Sequence, residues 1–353
     1  YEIASCLVGS EMCIRDSFYF IELYSQDNKS ELHTLAFYNL ENLFDTINDV
    51  SINDEASPIM ETSMNKTSVY LSKLKNLSKV ISEIGFSETG SLPTLVGICE
   101  VENRFVVEDL IKTGKLKDIN YNISHFDSPD NRGIDVGLIY NQDYFKVIRE
   151  KNIKLELINN EDSTQILTRD QHLVEGLLSG NKIYIIINHW PSRYGGEERS
   201  KPFRNKAAEL NRLIIDSIFQ IDHKAKIFTI GDFNDDPTDE SIKKILNTVK
   251  YDDELNSPVM LNPYEKMFDD GFGTLKYRGE WNMFDQIILS SNSLKSHNLN
   301  DFYFDGAYIH LKPYLINQSG NYEGYPFRSF AGGNFIGGYS DHLPVYIILK
   351  REQ

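Results

Sequence analysis

The chain has 353 residues, 41% of them hydrophobic, enough to bury one sizeable core. Its 52 acidic against 36 basic side chains give a net charge of −16, a field that repels polyanions and argues against a protein that merely coats nucleic acid. Of three cysteines, Cys6 and Cys13 fall in an atypical leader, so Cys99 alone cannot build a disulfide framework or a thiolate metal site. An enzyme whose acidic cluster holds a metal, and so inverts the local potential, is not excluded.

The first seventeen residues, YEIASCLVGSEMCIRDS, share neither composition nor pattern with the rest of the chain. SCLVGSEMCIRDS looks like translated sequencing-adapter read-through, so 1–17 reads as a non-native leader, with an ordinary N-terminal tail as the alternative. Residues 18–30 open on FYFIELY, either the remnant of a secretory signal's apolar region or a short first strand. Export to the periplasm or medium through a truncated signal is one expectation, and the cytoplasm is the other. The body is expected over 31–353. No segment reaches the roughly 18 apolar residues of a membrane span.

Apolar runs rich in β-branched and aromatic residues then recur: TLAFY, TLVGIC, GIDVGLIY, LVEGLLSG, KIYIIIN, KIFTIG, DQIILS and LPVYIIL. Strict alternation is rare among them, which predicts strands covered on at least one face by helices or a second sheet. Between them, Lys66 to Ile84 places Val69, Leu74, Leu77, Val80, Ile81 and Ile84 on one helical stripe. Arg204 to Ile221 does the same with Ala207, Leu210, Leu213, Ile214 and Ile218. Asp236-Pro237-Thr238-Asp239 caps a short helix through Ile245. Loops rich in Gly, Asn and Tyr fill 250–280 and 300–338. The pattern predicts one α/β domain, two packed sheets with helices outside.

Six of the apolar runs have polar, chemistry-bearing residues at their edges. Asn39 follows LAFY, Glu100 follows TLVGIC and His189 follows IYIIIN; Asp232 and Asn234 follow KIFTIG, Asp285 opens DQIIL, and Asp341-His342 precedes LPVYIIL. A carboxylate at a buried strand's end costs several kcal/mol unless it is paired or ligates a cation. Oxygen donors in such a pocket suit a hard divalent cation. Six junctions of one design point to an active site along one edge of a sheet.

The segments NHWPSR, GDFND and YSDHLPV each stand at a strand edge. With them the chain resembles the endonuclease/exonuclease/phosphatase superfamily, which contains deoxyribonuclease I, exonuclease III, sphingomyelinases and inositol polyphosphate 5-phosphatases. The resemblance runs from about Leu32 to Lys350 and is strongest to bacterial members labelled as probable, often exported, nucleases. It implies a four-layered α/β sandwich, two packed mixed sheets flanked by helices. It also assigns roles. Glu100 and Asp341, with Asn39 as a further metal ligand, hold Mg²⁺ or Mn²⁺, Ca²⁺ being another option, and Asn39 also lies beside the scissile phosphate. Asp232 orients and deprotonates the attacking water or holds a metal hydroxide, and Asn234 donates to a phosphate oxygen. His342 contacts the phosphate or handles a proton, oriented by Asp285; His189 bonds a phosphate oxygen or protonates the leaving one, oriented by Asp127. Arg132 and Arg193 offer planar forks to phosphate oxygens. Arg169 reaches the site or pairs with Asp170, Asp235 caps the following turn, and Glu41 and Asn42 have weaker claims.

The tyrosine that several members place near the phosphate has no counterpart, since Tyr140 closes a core strand. The aromatic loops 194–204 and 320–338 either shape a substrate groove or decorate the surface. The resemblance implies a metal-dependent phosphodiesterase, foremost an endonuclease that hydrolyses DNA by in-line attack of an activated water. A phospholipid or phosphoinositide phosphodiesterase or phosphatase would use the same residues. A non-catalytic binding domain would have lost at least one of Glu100, Asp232, Asn234, Asp341 or His342, and all are present. Nothing calls for a protein partner, so a monomer is expected.

Overall fold

The computed structural model describes residues 30–159, 162–250, 258–294 and 300–352. The expected leader over 1–17, and the 18–30 segment except Ser30, lie outside the described residues. Every apolar run of the body supplies a strand.

Six strands form one sheet, in the order Tyr303–Ile309, Val345–Glu352, Ser30–Leu43, Leu95–Val101, Asp135–Asn141, Tyr121–His125. Seven form the other, in the order Thr248–Lys250, Met260–Asn262, Asp285–Ser290, Lys226–Asp232, Asn181–His189, Gln171–Leu178, Phe145–Ile153. Both are mixed. Ser30–Leu43 runs parallel to Leu95–Val101 and antiparallel to Val345–Glu352. Lys226–Asp232 runs parallel to Asn181–His189 and antiparallel to Asp285–Ser290.

Strict alternation is missing because most central strands are buried on both faces. Leu35, Phe37, Ile185, Phe228, Ile230 and Ile287 pack between the sheets. Their neighbours Ala36, Tyr38 and Ile98 turn outward onto Val69, Leu77 and Val80 of the helix Lys66–Ile81. On the far side Ile186, Ile227 and Ile288 meet Ala207, Ile214 and Ile218 of the helix Glu197–Ile221. Four layers result, each buried aliphatic side chain stabilising by roughly 1.5–3 kcal/mol. The sheets approach closely where Gly97 faces Ile230, and a Cβ there would lie 2.5 Å from Ile230 Cδ1.

Three local expectations change. The second long helix starts at Glu197, ahead of Arg204: Gly195-Gly196 breaks the chain, and Glu197 and Glu198 meet the helix's positive end. The short helix expected through Ile245 is a π-helical turn over Ser241–Ile245, because Asp236 and Asp239 bond each other's segment before it. The expected loop regions hold a helix, Tyr264–Asp269, a hairpin, Leu275–Tyr277 with Glu280–Asn282, and the strand Tyr303–Ile309.

Candidate active site

Register brings the site together at one end of both sheets. Asp232 is paired with His189 on one side and Asp285 on the other. Directly paired residues on neighbouring strands share a face, so these three side chains stand in a row. Gly231 permits the packing, since a Cβ there would lie 2.4 Å from Asn188 O. In the facing sheet the ladder shifts register after Asn39 and after Cys99, and Glu100 sits in the shift at φ 59°. Glu41, Asn42 and Asn234 also have positive φ, at 49°, 53° and 51°. Such backbone costs on the order of 1 kcal/mol or more per residue and collects where side chains must be aimed.

Asp232 Oδ2 is the hub. Asn39 Nδ2 donates to it at 3.1 Å and to Glu100 Oε1 at 3.3 Å. The Nε2 atoms of His189 and His342 face it at 3.7 and 3.8 Å, beyond hydrogen-bond reach, so both imidazoles point at one place without being satisfied by the carboxylate. His342 Nδ1 donates to Asp285 Oδ2 at 2.6 Å, which fixes the tautomer. Asp285 is held in turn by its own N–H on Thr274 Oγ1 at 3.2 Å. Asn234 donates its N–H to Asp232 Oδ1 at 3.0 Å and one amide proton to Trp190 O at 3.1 Å, leaving the other amide proton.

The environment separates the two imidazoles. Burial opposes charge on His342, but Asp285 and Asp232 prevail and hold it well above its ordinary value. Burial, followed by Arg169, Arg132 and His342, pushes His189 well below. Asp232 is raised to about 7 by burial, with Asp285 and Glu100 adding to the rise against the pull of His342.

Glu100 and Asp341 are the more open carboxylates, at 18% and 30% side-chain exposure against 2% for Asp232. Glu100 accepts the Asn42 N–H at 3.0 Å. Asp341 accepts from Arg328 at 3.0 Å, and the same guanidinium donates to buried Glu41 at 3.2 Å. Burial and then Asp341 raise Glu41 to about 7. Beneath them Lys73 is buried with its amine on Ser329 Oγ at 2.7 Å, its pKa lowered to about 8 by burial. Negative charge is thus crowded around oxygen donors, and Glu100 and Asp341, the more open of them, are carboxylates of the kind that could hold a hard divalent cation. Asp232, Asp285 and His342 also present ligand atoms within 4.8 Å of one another. Asp285 accepts the Nδ1–H of His342 there, so within that trio it orients the imidazole.

Four expectations are corrected. Asn39 is a donor and not a metal ligand: its Oδ1 takes the Glu41 N–H at 2.9 Å, which turns its NH₂ to the carboxylates. Arg193 does not present a fork to substrate. It donates to Asn234 O at 2.9 Å, Glu197 at 2.8 Å and Asp239 at 2.8 Å, with Asp235 and Asp236 within 3.4 Å. Asp127 lies beside His125 at 3.9 Å and is 88% exposed, and His189 Nδ1 is buried with no hydrogen-bond partner in its place. Arg169 pairs with Asp130 at 2.9 Å, and Asp170 instead accepts from Asn152. Arg169 also donates to the carbonyls of His189 and Trp190, at 3.1 and 2.6 Å, and so braces the segment that carries His189. Arg132 rests on Asp130 at 3.2 Å and stays half exposed, in a groove of about 580 Å³ with Arg169 and Tyr194. Asp235 binds buried Arg204 and Ser241 Oγ, at 2.5 and 2.6 Å, which ties the helix to the turn.

Sequence reasoning missed Arg328 and Lys73 and underrated Glu41. Lys73 had a signal, since it falls four residues after Val69 and four before Leu77 on the apolar stripe.

Two packed mixed sheets that end in a shared ring of carboxylates, amides and imidazoles are characteristic of the deoxyribonuclease I-like hydrolytic phosphoesterases. The model of the Endonuclease/Exonuclease/phosphatase family matches residues 34–351, and the chain belongs to that family. No curated protein sequence matches it significantly. Solved structures share the fold at low identity. A family member from Bacteroides thetaiotaomicron superposes with a TM-score of 0.53 at 14% identity, over 92% of this chain and 97% of its own. A humanized TDP2 from D. rerio gives 0.52 at 15%, over 90% and 99%. The mannosyl-6-phosphatase of B. thetaiotaomicron gives 0.50 at 14%, over 90% and 99%.

Proposed function

We propose that this phosphoesterase is a divalent-metal-dependent phosphodiesterase that cleaves DNA internally. The observation that carries the reading is the convergence of Asn39, His189 and His342 on Asp232 Oδ2, beside the open carboxylates Glu100 and Asp341. Glu100 and Asp341 would hold Mg²⁺ or Mn²⁺, which would supply Lewis-acid stabilisation of charge on the phosphate. The chain's own residues do the rest. Asn39 and Asn234 offer amide protons to phosphate oxygens, and preorganised donors of this kind usually supply the largest share of the rate. Asp232 orients the attacking water, and His342, aimed by Asp285, takes or gives a proton at Nε2. His189 Nε2 faces the same point from the opposite strand and serves the leaving oxygen.

DNA is favoured because cation-bearing grooves open beside the site, one with Arg132 and one with Lys276 and Arg278, where a polyanion longer than one phosphate can lie. A solved structure of D. rerio TDP2 holds a single-strand DNA product. The test offers plasmid DNA, single-stranded DNA, RNA, sphingomyelin, an inositol polyphosphate and a sugar phosphate to the protein with Mg²⁺ or Mn²⁺. Plasmid nicking with little base preference is expected. Turnover of the lipid, inositol or sugar phosphate with intact DNA overturns the nuclease reading.

A further inference from the structure

A groove of about 610 Å³ opens beside Asp341, between the hairpin at Leu275–Asn282 and the segment from Asn317 to Ile336. Its walls carry three cations, Lys276, Arg278 and Arg328, and three tyrosines, Tyr277, Tyr322 and Tyr325. Arg328 is spent on Glu41 and on Asp341, which also lines the groove, so the open positive charge is that of Lys276 and Arg278. The Lys276 amine lies over the rings of Trp281 and Tyr325, at 5.4 and 5.1 Å, and the Arg278 guanidinium over Tyr277 at 5.2 Å. Neither cation makes an ion pair among the described residues, so their charge is open to an anion. Tyr322 and Tyr277 are 66% and 61% exposed.

The groove is tied to the site by backbone. Leu275 bridges to His342, and Leu343 N–H donates to Thr274 O at 2.8 Å. Arg278 holds the hairpin turn at φ 49°, followed by Gly279 at 94°. The opposite wall is ordered by Asn317, which donates to Tyr325 O and Pro326 O at 3.1 and 3.0 Å. Tyr322 and Tyr325 meet edge to face at 5.6 Å.

We infer that this groove binds an unpaired stretch of nucleic acid running from the scissile phosphate, with bases against its tyrosines and backbone phosphates on Lys276 and Arg278. The inference rests on the proposed nuclease activity. Exposed π-faces interleaved with unpaired cations are what a single strand requires. A neutral sugar would want paired donors and acceptors, and the lining supplies few, because the Asn317 amide is spent on its own loop.

The test separates binding from cleavage. A fluorescent oligothymidylate is titrated in EDTA and followed by anisotropy, for wild type, Tyr322→Ala and Arg278→Asn, since Asn tolerates the left-handed turn position. Turnover of bis(p-nitrophenyl) phosphate with Mn²⁺ is measured in parallel. Each variant should raise the Kd by roughly ten-fold and leave diester turnover unchanged. Equal Kd values for all three proteins, or no binding by wild type, overturn the groove. Binding that the variants weaken, without cleavage by wild type, keeps the groove and rejects the nuclease.

Discussion

Asp285 is fully buried, and one of its oxygens has no partner while the other holds His342. Its purpose is therefore orientation of the imidazole, and Asp285→Asn should lower kcat by about 10²–10⁴ with little change in KM. Steady-state kinetics on a soluble diester check this; a rise in KM with kcat unchanged would contradict it. Arg193 gives the opposite expectation. It knots the 234–239 turn to the helix start at partial burial, so Arg193→Ala should cost stability, about 2 kcal/mol after allowance for exposure, and leave KM for DNA near its original value. Urea unfolding and KM measured together decide between a structural knot and a phosphate fork.

Strands and candidate site residues were legible in the sequence for the same reason. Asn39, Glu100, His189, Asp232 and Asp285 each stand at the end of an apolar run, and pairing register carries them to one place. The edge strand Phe145–Ile153 was not legible because its solvent face is charged, and the short strands Thr248–Lys250 and Met260–Asn262 carry too few residues to show a period. Arg328 was hidden because its partners Glu41 and Asp341 lie 287 and 13 residues away. Arg193 misled because an arginine fork suits phosphate and carboxylate alike, and the carboxylates of DDPTD lie in the neighbouring turn. At the strand end itself, Gly231→Ala would force a Cβ into Asn188 O and spread His189 from Asp232. A loss of about 1–3 kcal/mol in urea unfolding is expected, together with lost activity. Full stability in that variant would contradict the close approach of the two strands.

Across the molecule, two effects of charge can be separated. On the proposed nuclease reading, a net charge of −16 leaves few cations to hold DNA, and the cleavage rate should fall as salt rises. Acid stability has a different source. His172 is buried with one ring nitrogen on Ser124 Oγ at 2.7 Å and the other unpartnered, and burial lowers its pKa to about 3. A folded value below the unfolded 6.5 means the unfolded chain takes up the proton first. Its contribution is therefore intact above pH 6.5 and is lost as pH falls toward 3, by about 1.4 kcal/mol per pH unit. Denaturant unfolding between pH 7 and 4 should show a shallower decline for His172→Gln than for wild type.

The proposed function stands or falls on a bound divalent metal. Initial rates of bis(p-nitrophenyl) phosphate hydrolysis, measured in excess chelator and then with Mg²⁺ or Mn²⁺ restored, test this directly. The crowding of Glu41, Glu100, Asp232 and Asp341 predicts no turnover in chelator and recovery when either ion is added. Undiminished turnover in excess chelator would contradict it.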